Sequence, residues 1–256
     1  MKKVIIGDYQ FSMKSDWVDL TLSDFVALCR IPMPEKLMNL YKNAEDKEKW
    51  NEAFEAITFE DNEKIHPEYY GKVIGLLSDI PESIIELINA EQRTELFNQY
   101  LFHLAYSTVT DYPNIIVDGV TELYEPEEID ELNFKGGTYY FPKSKNVNGQ
   151  NTPMSDEPIV TFTEASSIVT TWKKISESGA EYASLVPALY LRKKGEQYSQ
   201  ETTLERSELF KELPMNIIWS LFFYTLKSEM NSLLDIPLSI MENGTIKKKT
   251  LQIKVE

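Results

Sequence analysis

The chain has 256 residues, a net charge of −15, 42% hydrophobic and 12% aromatic residues, which provides for a real core and excludes a disordered polar tract. A single cysteine rules out an intramolecular disulfide, and with two histidines a Cys/His zinc site lacks ligands. The first 142 residues hold 12 Lys+Arg against 27 Asp+Glu and so carry the whole negative excess, a balance that repels nucleic acid.

That acidic half reads either as a solubilising surface or as a face for a basic partner. The start, MKKVIIGDYQF, has two lysines but an apolar run of three residues, too short for a signal peptide. A cytoplasmic or virion setting is expected, and the sequon at Asn243 is then coincidence. KKVIIGDYQFSM predicts two short strands around a turn at Gly7-Asp8. Thr21 or Ser23 is placed to cap a helix that runs through Arg30 and stops before Pro32 and Pro34. Within it, Cys29 has the apolar helical context of a small buried hydrophobe.

From Glu35 to Phe59 the apolar residues Leu37, Leu40, Tyr41, Trp50, Phe54 and Ile57 recur at helical spacing. HPEYYGKVIGLLSDI and PESIIELINAEQRTELFNQYLFHLAYSTV predict two further helices, the second with Pro81 near its first turn. Beyond Asp111 glycine and proline punctuate short strands and loops, with antiparallel β elements expected between 113 and 162. Helical periodicity returns in TEASSIVTTWKKISESG, EYASLVPALYLRKKG, ERSELFKEL and the stretch 206–230, and the tail from Gly244 reads as a late strand or a loose end. The fold class is α+β, mainly helical, with small antiparallel β elements near the N-terminus and mid-chain. Two regions are expected, 1–110 and 111–256. GDYQF before LTLSDFVAL is echoed by GTYYF before VTFTEASSI, which reads as a duplicated strand-then-helices module or as chance.

Met215 to Leu226 is apolar apart from Asn216, Ser220 and Thr225. Twelve residues fall well short of the ~20 that span a bilayer, so no membrane role is expected. Trp219 and Phe223 share one stripe and Ile218 and Phe222 another, as in a buried central helix or one with a face for a partner.

The chain contains no G-x-x-x-x-G-K-[ST], G-x-G-x-x-G, G-x-S-x-G or H-E-x-x-H, and Asp16, Asp19 and Asp24 lack calcium-loop spacing. His66, close in sequence to Glu63 and Glu68, allows an enzyme using carboxylates around it, against a turn or capping role. His103 reads as a core histidine. No catalytic, cofactor or metal residues are assigned.

The segment Tyr9 to Leu28, with its Y-x-F and DWVDLTLSDFVAL, resembles the start of proteins from tail and virion modules of bacteriophages, particularly those of Bacteroidetes hosts. LVPALYLRKKGEQYS and ERSELFKELPMNIIWSLFFYTL are similar to their C-terminal helical part. The resemblance implies a non-enzymatic tail assembly chaperone acting through protein contacts in the host cytoplasm, or a structural virion component. Its partners would be other virion or tail proteins, with no cofactor. A chaperone would present an apolar groove anchored by Leu185, Leu189, Trp219 and Phe223. In a virion component these residues would be core, and the acidic run Glu122, Glu125, Glu127, Glu128 and Glu131 would carry the contacts.

Overall fold

The computed structural model describes residues 1–44, 46–109, 113–117, 120–125, 129, 131–140, 144–147, 150–153, 183–196, 199–221, 239–242 and 245–248. Helices predominate, and the strands form small antiparallel pairs near the N-terminus and mid-chain, as the α+β reading requires.

Strands β1 (Lys2–Ile6) and β2 (Tyr9–Met13) pair across a two-residue turn. Gly7 there has φ +59°, the positive φ that a tight hairpin needs and glycine supplies. Helix α1 (Leu22–Arg30) starts at Thr21, which forms a full capping box with Asp24, and Lys14 adds an ion pair to Asp24 at 2.7 Å. Cys29 corrects the sequence reading. The buried positions of α1 are Leu22 and Leu28, so the next residue turns outward and Cys29 is exposed.

The periodicity of 35–59 is split into α2 (Glu35–Lys42) and α3 (Lys47–Glu55). A helical run from 59 follows, with a π turn at Asp61–Ile65 leading into α4 (His66–Leu77). The long helix expected after Pro81 is broken into α5 (Glu82–Leu87), α6 (Ala90–Leu96), a second π turn (Phe97–Leu101) and α7 (Phe102–Tyr106). The break before α6 has a local cause: Asn89 forms a capping box with Gln92, so a new helix starts where periodicity alone would continue the old one.

Mid-chain, β3 (Asn114–Val117) pairs β4 (Val120–Leu123), β5 (Glu131–Phe134) pairs β6 (Gly137–Tyr140), and β7 (Ser144–Val147) pairs β8 (Gln150–Pro153). Lys135 and Gly136 both have positive φ, +45° and +77°, the pattern of a type I′ hairpin turn. Helices α8 (Leu185–Tyr190), α9 (Gln200–Phe210) and α10 (215–221) follow. The expected tail strand pairs as β10 (Thr245–Lys248) with β9 (Ser239–Glu242). The helix expected from TEASSIVTTWKKISESG lies outside the described residues.

Two hydrophobic cores form. The first gathers Val4, Met13, Trp17, Leu20, Tyr69, Tyr70, Ile74, Phe97 and Leu104 with Met215 and Trp219 from far along the chain. The second joins Leu132, Tyr139, Val186, Leu189, Leu191, Phe210, Leu213 and Leu221. α10 serves both, and its Ile218 packs against each. Backbone bonds hold it there: Leu22 N–H donates to Leu213 O (2.8 Å), Ser23 N–H to Lys211 O (2.9 Å) and Met215 N–H to Leu20 O (2.8 Å).

The two cores repeat a construction. Met13, at the end of the first hairpin, bridges Ser78 after α4, while Tyr140, at the end of the β5–β6 hairpin, bridges Arg192 after α8. Each arrangement then continues to a helix carrying Arg-[Thr/Ser]-Glu-Leu-Phe, at 93–97 and 206–210. Arg93 donates to Ile88 O (3.0 Å) and Ile85 O (2.9 Å) at the end of α5. Arg206 donates to Ala188 O (3.0 Å) and Leu191 O (2.6 Å) at the end of α8 and pairs with Glu196. Both guanidiniums satisfy carbonyls that a helix C-terminus leaves open, and Phe97 and Phe210 are fully buried beside them.

Candidate functional site

His66 is the C-cap residue of the first π turn, its backbone N–H donating to Asp61 O, and the first residue of α4, and it is buried. The carboxylates nearest in sequence do not converge on it: Glu63 is exposed, and Glu68 pairs with Lys72 at 3.0 Å. Asp61, which sequence reading passed over, is the acid that acts on it electrostatically. Thr58 donates its N–H and its hydroxyl to Asp61 Oδ2, both at 2.7 Å, and receives the Asp61 N–H at 3.3 Å. Lys36 Nζ lies 2.7 Å from the same oxygen. Hydrogen bonds from Lys36 and Thr58 hold this carboxyl well below the usual range. The geometry repeats that of Thr21, Asp24 and Lys14, so T-x-x-D at 58–61 was a legible capping signal. Burial lowers the His66 pKa, opposed by the charge of Asp61, and its Nε2 has no hydrogen-bond partner.

His103 lies in an aromatic cluster. Trp17 meets His103 edge-on at 6.2 Å and packs in turn edge-on against Trp219 at 5.5 Å and Phe25 at 5.9 Å. Trp17 Nε1 donates to Asn114 O at 2.8 Å. The core reading of His103 is right in placement, yet its Nδ1 has no partner, and burial pushes its pKa down to about 4. Among the described residues, no three His, Cys, Asp or Glu side chains gather as a metal site, and no helix is long and apolar enough to cross a membrane.

The expected groove anchors do not line one surface. Leu189 (4% exposed) lies in the second core and Trp219 (9% exposed) in the first, while Leu185 is half-buried. The physical reason is the position of α10 between the cores, which turns Met215, Trp219 and Leu221 inward. Phe223 lies outside the described residues. Of the acidic run, Glu122, Glu125 and Glu131 are exposed, and Glu127 and Glu128 lie outside the described residues.

An open apolar face occurs instead on α3. Asp46 caps this helix, yet none of its residues is buried. Trp50 and Phe54 stack at 5.1 Å with an interplanar angle of 12°, as residues four apart on one helical face can. Phe54 is 55% exposed, Trp50 and Ile57 are half-buried, and Phe59 beyond is 80% exposed. Both tryptophan-bearing patterns look alike in sequence. Only the density of charge around Trp50, against the apolar neighbours of Trp219, could have marked the α3 face as open. No protein-family model, curated protein or solved structure matches the chain.

Proposed function

We propose that this protein is a non-enzymatic bacteriophage assembly factor of the tail-chaperone kind, acting through protein contacts in the host cytoplasm. The observation that carries the reading is the α3 face, where a half-buried tryptophan stacks on an exposed phenylalanine, on a helix with no fully buried residue. Exposed aromatic anchors at helical spacing suit recognition of a partner helix. The His66 neighbourhood supports the same reading, because Asp61 and Lys36 there are committed to a helix cap.

Deleting the gene from its phage and examining the particles by electron microscopy tests this. Tailless or aberrant particles are expected, and normal tails contradict it. A second reading, a built-in virion component, is favoured by the burial of Leu189 and Trp219 and the exposure of Glu122, Glu125 and Glu131. Mass spectrometry of purified virions separates the two: a chaperone is absent from them, a component is present at fixed stoichiometry.

A further inference from the structure

We propose that α3 is the docking site for a basic amphipathic helix of a partner protein, a step that rests on the protein-contact reading above. The apolar half of the match is Trp50 and Phe54, four residues apart on one face of α3, with the half-buried Ile57 just past the helix end, a patch that a partner helix could lie against. The stacking of Trp50 on Phe54 holds both rings before anything binds, which reduces the ordering cost of association.

The basic half follows from charge. Residues 43–63 contain eight Asp and Glu against Lys47 and Lys49. Lys49 pairs with Asp46, while Glu48, Glu52, Glu55 and Glu60 form no salt bridge among the described residues. Glu52 and Glu55 sit toward the C-terminal end of α3, and its last turn has no basic residue. That end already carries the negative pole of the helix dipole, so these carboxylates are unfavourably placed and local cations do not offset them. Lysines or arginines flanking an apolar stripe on a partner would satisfy them, and an acidic partner would be repelled.

The test is a fluorescence-anisotropy titration of labelled helical peptides with the full chain. One probe is a Leu/Lys amphipathic helix, the other its Leu/Glu counterpart of equal length. The Leu/Lys helix should bind and the Leu/Glu helix should not. Trp50→Ala/Phe54→Ala and Glu52→Lys/Glu55→Lys should each weaken Leu/Lys binding by about tenfold or more. Absence of Leu/Lys binding, equal binding of both probes, or either variant binding like wild type overturns the proposal. If the aromatic variant melts early, the charge variant decides. A failed titration beside tailless deletion particles rejects α3 as the site and leaves the assembly role standing, whereas normal deletion particles reject that role whatever the peptides do.

Discussion

His103 shows how one side chain ties stability to pH. Its folded pKa is about 4 against an ordinary 6.5, so the unfolded chain binds more protons between those values. Stability is complete above pH 6.5 and falls as pH drops toward 4, by up to about 3 kcal/mol. Urea unfolding of wild type and of His103→Leu across this range should show wild type losing that amount relative to the variant; a constant difference contradicts it. Arg206 makes a second prediction. It is buried and serves Glu196 and two carbonyls, so Arg206→Met should cost about 3–5 kcal/mol in denaturant unfolding by stranding them. An unchanged midpoint would show that these groups find water or other donors. At this scale the sequence was partly legible. Thr21 announced its cap by a polar side chain three residues before Asp24. Cys29 misled, because an apolar neighbourhood in sequence does not fix which side of a helix a residue faces.

Among elements, α3 and α10 look alike in the sequence and behave oppositely in the fold. In the sequence, Trp50 and Trp219 each have a phenylalanine four residues on, Phe54 and Phe223. Trp219→Ala should cost about 3–5 kcal/mol, since Trp219 contacts both Trp17 and Phe25. Trp50→Ala should leave unfolding within about 0.5 kcal/mol of wild type. Thermal melts of the two variants check this, and equal losses would mean that α3 packs as tightly as α10. Periodicity identified the helices but not their breaks. Hydrophobic spacing is blind to a competing start such as Asn89, whose capping box begins α6. The burial of α10 was open from sequence because it depends on strands and helices almost two hundred residues away, which close on it through the 20–22 and 213–215 backbone bonds.

For the whole molecule, the doubled hairpin and the Arg-[Thr/Ser]-Glu-Leu-Phe helices explain why two cores arise, with α10 joining them. The expected echo of GDYQF in GTYYF is out of step with the hairpins, since Gly7 lies in its turn and Gly137 in its strand, and VTFTEASSI lies outside the described residues; the closer match, the pentapeptide, was missed. Of the 15 excess negative charges in the first 142 residues, six lie in 43–63, on and around α3, where eight Asp and Glu face two Lys. The central claim is that the protein works through this exposed face. The most direct test takes the phage that the proposed assembly role requires, complements a deletion of the gene with chains carrying Trp50→Asp and Phe54→Asp, and counts tailed particles by electron microscopy. The account predicts wild-type expression and thermal stability of the variant chain with tailed particles no more frequent than in the deletion; restoration of tails to the wild-type level would contradict it.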